Sequence, residues 1–241
     1  MKEKLQQYLA LANDVRSLMQ NAAEKIDRKH QQPDQIMTIN ERVALGLANK
    51  MHSTFEALVE DARLARGEAM HHLKTLVECF IYLYWVSQGK DDERAKQILA
   101  WACTEKEKFF KNNPGYPGGT AYLKRWQDAH ENMTSSLRGK SGERKIFDLA
   151  KNSGLNDYYS RIYRLACDSA HIADIHDYMP LQGKSIAWRQ TDTSELMAYV
   201  AIDYGVHMMC GLLEIGSYSY HLGLEADIQR LRENYNEARA H

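Results

Sequence analysis

Arg161, Arg164, Asp168 and His171 follow one another at steps of three, four and three residues. At about 100° per residue of an α-helix these four share one face, with Ile162, Leu165, Ala166 and Ser169 on the other. Arginine offers a permanently charged fork for phosphate, and histidine exchanges a proton near neutral pH, so the pair suits phosphodiester cleavage without a metal. Arg164 and His171 are roughly 10.5 Å apart along the axis. One phosphodiester reaches both only if the side chains converge, which a second helix or subunit would assist. The same spacing also describes a solvated face, with Arg164 and Asp168 as an i, i+4 pair and His171 against the helix dipole.

Glu78 is the one charge in the apolar run Leu76 to Val86. A carboxylate among apolar neighbours needs a partner or a shifted pKa. Lys74, four residues earlier, and His71 lie on its face, and Arg164 or His171 could meet it from another helix. A buried ion pair and a catalytic carboxylate are both open, and each makes Glu78 important.

Asp203, His207, Glu214 and His221 form a second polar stripe, in which Asp203 and His207 at i, i+4 could hold a metal with help from Glu78, His171 or His176. No Glu-x-x-His pair of the di-iron type lies in this stripe, so hydrogen bonding at a helix rim is the plainer reading. His171, Asp174, His176 and Asp177 have no specific metal spacing, and His71-His72 point too far apart to share an ion. The Asn113 to Gly119 loop lacks the Lys-Ser/Thr of a phosphate loop, and neither G-x-G-x-x-G nor G-x-S-x-G occurs. Seven Lys/Arg against four Asp/Glu from Lys124 to Lys151 could steer RNA or cover a solvated face.

Elements that carry these residues are helical. The 241 residues include 25 Ala and 24 Leu but only 7 Val, a balance that favours helix over sheet. Periodicity predicts helices at 3–29, 38–65 with Thr38 and Glu41 as a capping box, 68–88, 92–111, 120–137, 143–152, 155–171, 193–221 and 224–239. Residues 172–192 lack periodicity. We expect an all-α bundle over 38–223, an N-terminal helical extension over 1–37 and a C-terminal helix over 224–241. Gly205, Gly211 and Gly216 would permit close neighbours on the long helix.

A net charge of −1 gives no global pull toward nucleic acid or lipid. Four widely spaced cysteines without a C-x-x-C pair suit reduced thiols in a cytoplasmic protein. No signal-peptide pattern is present, and the longest apolar run falls short of a membrane span. No cofactor is expected.

The stretch from Ile146 to His171, with Tyr163 eight residues before His171, resembles the bacterial domain-of-unknown-function family 5677. Ala166-Cys167 stands where that family has a Leu-Ser-like pair, and Lys74 with Glu78 stands where it has Arg and Glu. Through Arg164-x6-His171 the chain is also similar to the HEPN superfamily (higher eukaryotes and prokaryotes nucleotide-binding), which includes metal-independent ribonucleases whose motifs meet at a dimer interface. The resemblance implies a HEPN-like endoribonuclease of a bacterial defence or toxin system. Arg164, His171, Asp168 and Glu78 would be catalytic, and Arg161, Lys74 and Lys145 would bind RNA. A homodimer, and a protein partner or antitoxin, would follow. Two other classes stay open: a non-catalytic helical module that binds a protein or nucleotide, and a carboxylate/His metal enzyme.

Overall fold

The computed structural model describes residues 2–31, 37–113, 115, 119, 121–122, 124–125, 128, 145–169 and 192–240. Among them every regular element is a helix: α1 (Lys2–His30), α2 (Ile39–Arg63), α3 (Ala69–Ser87), α4 (Glu93–Asn112), α5 (Ile146–Asn152), a π-helical segment (Tyr158–Tyr163), α6 (Arg164–Ser169), α7 (Asp192–Tyr220) and α8 (Glu225–Ala240). The protein is an all-α helical bundle. Of the helix expected at 120–137, residues 121–122, 124–125 and 128 are described and are helical; its other residues, the aperiodic stretch up to 191 and His171 lie outside the described residues.

Helix α2 starts where its sequence provides a stop for the chain before it. The Thr38 hydroxyl accepts from the Glu41 amide at 3.1 Å, and the Glu41 carboxylate accepts from the Thr38 amide at 2.8 Å. This reciprocal pair satisfies two of the orphan donors of the first turn. Helix α3 is apolar on nearly all sides and buries Leu73, Leu76, Val77, Phe80 and Ile81. It therefore lies at the centre, between α2 and α7 on one side and the α5–α6 layer on the other.

Helix α7 is long and apolar enough over Ser194–Tyr220 to cross a bilayer by length and composition, but 67% of that apolar stretch is buried inside the bundle. Its neighbours are α1, α2, α3 and α8, which is the packing of a core helix. Gly211 is what lets α3 approach: a Cβ at that position would stand 2.8 Å from the Phe80 ring. Helix α1, expected as an extension, buries Leu5, Tyr8, Leu9, Ala12 and Val15 in the same core cluster. Arg16 then ties it to α2 through a fork on Glu56, with Nε–Oε1 at 2.8 Å and Nη2–Oε2 at 2.6 Å.

One expected element changes character. The helix predicted to run regularly through 155–169 contains a π-helical turn over Tyr158–Tyr163. The wider turn accompanies the seating of Tyr158 against Phe80, with ring centroids 5.6 Å apart, while Ile162 and Ala166 enter the core. Leu165, placed with the apolar residues on sequence grounds, is 36% exposed; four residues on from Arg161 it stands only about 40° from it on a regular wheel, at the edge of the charged face.

Candidate functional site

The layer formed by α5, the π-helical turn and α6 packs on α3 and turns its other side to solvent. Lys145 stands exposed just before α5, and Arg161, Arg164 and Asp168 are exposed along the following segment. The expected Arg164–Asp168 pair does not form: among the described residues neither the Arg161 nor the Arg164 side chain has an ion-pair or hydrogen-bond partner. Among the described residues, two guanidinium forks thus face solvent with no carboxylate paired to them.

Aromatic rings run beside these charges, a feature that the spacing of acid/base residues does not reveal. The Phe147 ring meets the edge of Tyr159 at 5.3 Å, and Tyr159 stacks on Tyr163 at 5.2 Å with 25° between planes. Phe147 is 41% exposed, so this ladder begins at the surface. The available signal was the repeat of aromatic residues at 159 and 163, one helical turn apart. Cationic groups interleaved with accessible rings can hold a single-stranded nucleic acid through its phosphates and base faces.

Glu78 on α3 faces this layer from below. It is half-buried, as is Lys74, and among the described residues it forms no ion pair with Lys74 or Arg164, so the buried salt bridge does not form with either; His171, the other expected partner, lies outside the described residues. Its charge is felt by tyrosines instead. Burial, then Glu78, pushes the Tyr82 hydroxyl up to about 12. Burial, then Glu78, then Cys167 raises Tyr163 as well. A half-buried carboxylate keeps access to water, so it does not require a lysine or arginine. His71 is exposed, and His72 turns to Asp61, with Nε2 at 3.2 Å from Oδ2.

The Asp203 stripe is engaged in a different arrangement from the metal site weighed above. Tyr235 of α8 donates its hydroxyl to Asp203 Oδ1 at 2.7 Å, and Arg239 Nε lies 3.7 Å from Asp203 Oδ2. His207 is stacked between the rings of Tyr158 and Tyr235, at 5.7 and 5.6 Å. Glu214 holds Arg232 through two contacts, one of 2.6 Å to Nη2. Asp203, His207 and Glu214 thus each face a tyrosine or an arginine, and among the described residues no three His, Cys, Asp or Glu converge on a metal position. Tyr158, Arg232 and Tyr235 were not anticipated. The signal was buried tyrosine itself, whose hydroxyl usually finds a partner.

The sequence profile of the Family of unknown function (DUF5677) matches residues 41–186, more than half of the chain. The chain belongs to this family. No curated protein and no solved structure matches it. The DUF5677 match contains Lys74, Glu78, Arg161, Arg164 and Asp168 and also covers His171. It excludes α1, α7 and α8, so the Tyr158–His207 contact joins a position inside the matched region to one outside it.

Proposed function

We propose that this protein is a HEPN-like, metal-independent endoribonuclease whose substrate lies across the exposed face of the π-helical turn and α6. The observation that carries the reading is the unpartnered, exposed Arg164 beside the Phe147–Tyr159–Tyr163 ladder. Phosphate would meet the Arg161 and Arg164 forks, Lys145 would add positive charge at the entrance, and a base would stack on Phe147. Lys74, half-buried on α3, would act at the margin of this face.

In the proposed step His171 removes the proton from a ribose 2′-hydroxyl. The 2′-oxygen forms a bond to phosphorus, the bond from phosphorus to the 5′-oxygen breaks, and that oxygen takes a proton from water or imidazolium. Arg164 holds the charge that develops on the non-bridging oxygens. The products are a 2′,3′-cyclic phosphate and a 5′-hydroxyl. Asp168 would orient the face, and Glu78 would act through Tyr163 as a positioning residue. A homodimer would bring two such faces together, and a protein partner of antitoxin type could cover them. The thiols of Cys79, Cys167 and Cys210, two of them buried, support a reducing cytoplasmic setting for this role.

The test is incubation of the purified full chain with mixed RNA in EDTA. Cyclic-phosphate ends that disappear in His171→Ala and Arg164→Ala support the proposal. Intact RNA under all conditions, or cleavage unchanged in both variants, overturns it. A second reading, a helical module without catalysis, is favoured by one observation: the Glu78 charge faces Tyr82 and Tyr163, which a purely structural carboxylate would also do.

A further inference from the structure

A column of rings crosses the bundle through His207. Phe80 of α3, Tyr158 of the π-helical turn, His207 of α7 and Tyr235 of α8 follow one another at centroid distances of 5.6, 5.7 and 5.6 Å, with 33°, 16° and 29° between planes. Tyr84 stands behind Phe80 at 6.2 Å, and Tyr8 of α1 meets Tyr235 at 6.0 Å. Of these rings only the imidazole gains a charge near neutral pH.

The column reaches the Arg164 face through the backbone. Tyr158 opens the π-helical turn, Arg161 lies within it, and the Arg164 amide donates to the Tyr159 carbonyl across the wider ring of the turn. Such turns are rare on their own, so what packs against this one holds it. Tyr158 between Phe80 and His207, with Ile162 in the core, is that packing.

The seat favours a neutral imidazole. His207 Nε2 lies 2.9 Å from the Tyr158 hydroxyl, and Nδ1 is buried without a partner among the described residues. A neutral ring meets this by carrying its hydrogen on Nε2 and leaving Nδ1 bare. Protonation puts a second N–H on Nδ1, in the ring plane, where the stacked rings of Tyr158 and Tyr235 cannot accept it. Arg232 and Arg239 of α8 add like charge. Asp203 and Glu214 of α7 oppose them, but Asp203 is engaged by Tyr235 and Arg239, and Glu214 by Arg232. Burial, then the two arginines, accordingly lowers the His207 pKa from 6.5.

We propose that His207 is a positioning residue with a proton switch: neutral, it seats Tyr158 and fixes the turn that presents Arg161 and Arg164; protonated, it leaves the stack and that segment loosens. The proposal rests on the reading of this face as an RNA site. Its control point lies in α7 and α8, beyond the family-matched residues 41–186, whereas the segment it governs lies inside them.

The experiment is an NMR titration of the isotope-labelled full chain from pH 7.5 to 5.0 without nucleic acid, beside binding of a 2′-O-methyl RNA oligonucleotide, which lacks the attacking hydroxyl. The His207 ring and the Tyr163 and Arg164 amides are expected to shift with one midpoint below 6.5. In His207→Gln those amide shifts disappear; in Tyr158→Phe, which removes only the hydroxyl, His207 still titrates with a reduced amide response. Across the same range the parent's RNA affinity should fall about five- to tenfold relative to that of His207→Gln, the worth of one hydrogen bond to phosphate. The comparison cancels the other histidines. An Arg164 amide that does not follow the His207 midpoint overturns the proposal, and the parent alone decides this if a variant does not fold. Amide shifts that persist in His207→Gln, or RNA affinities with equal pH dependence in parent and variant, also overturn it. Coincident titration without RNA binding at any pH upholds the switch and removes the ribonuclease reading instead.

Discussion

The Tyr158 hydroxyl stands 2.9 Å from Nε2 of His207, linking the π-helical turn to the middle of α7, while Nδ1 of the same imidazole is buried without a partner among the described residues. Burial first, then Arg232 and Arg239, lowers the pKa of His207 from its ordinary 6.5; Asp203 and Glu214 oppose the shift only in part. The unfolded chain therefore binds this proton at a higher pH than the folded one. The neutral imidazole's contribution is fully present above pH 6.5 and is lost as pH falls through that value toward the lower folded pKa. His207→Gln retains a hydrogen-bonding partner for Tyr158 but does not titrate. Denaturant unfolding from pH 7 to pH 5 is expected to show a steeper loss of stability in the parent than in this variant; parallel curves would refute the assignment.

Tyr235 and Asp203 form a second link, between α8 and α7, at 2.7 Å with Asp203 only 7% exposed. Removing the phenol leaves a nearly buried carboxylate with Arg239 as its remaining cationic neighbour. Tyr235→Phe is expected to cost about 1–3 kcal/mol. A double-mutant cycle with Asp203→Ala should be clearly non-additive, since both changes remove one contact. Additive effects in urea unfolding would mean that the pair does not couple.

Close approach of α3 and α7 gives a steric expectation. At Gly211 a methyl group would sit 2.8 Å from the Phe80 ring, so Gly211→Ala should destabilise by about 1–3 kcal/mol. Phe80→Leu, itself costly, should reduce the additional cost of that alanine. Gly216→Ala enters open space and should be neutral or stabilising by up to about 1 kcal/mol. Thermal unfolding of the four variants checks the contrast; equal losses at both glycines would disprove it.

Helices α1 to α4, α7 and α8 were legible because each carries several turns of apolar periodicity, and Thr38 with Glu41 announced its capping box directly. The glycine reading held at Gly211, whereas at Gly216 the absent side chain leaves space rather than contact. What periodicity could not carry was the change of pitch itself, the π-helical turn over Tyr158–Tyr163. Long-range partnerships were equally hidden. Asp203 and His207 stood out as polar residues on an apolar helix, but nothing local to α7 identifies Tyr235 or Tyr158 as what they meet. Glu78 was recognisable as an anomaly for the same reason, and its phenolic neighbours were not.

Arg164 and Glu78 separate chemistry from scaffolding because one is exposed and unpartnered and the other is half-buried beneath Tyr163. Arg164→Ala breaks no contact among the described residues, so its stability should stay within about 0.5 kcal/mol of the parent. If the exposed fork serves phosphate, the same variant should lose RNA cleavage, and Arg164→Lys should recover only part because a point charge lacks bidentate geometry. Glu78→Gln keeps the shape but removes the charge that raises Tyr163 and Tyr82. It should lower the alkaline pH at which those phenols ionise, followed by absorbance at 295 nm, an outcome unrelated to folding alone. Unchanged phenol titration in Glu78→Gln would remove its proposed positioning role. Loss of folding in Arg164→Ala would instead mean that the guanidinium supports the bundle, leaving the ribonuclease reading without its principal observation.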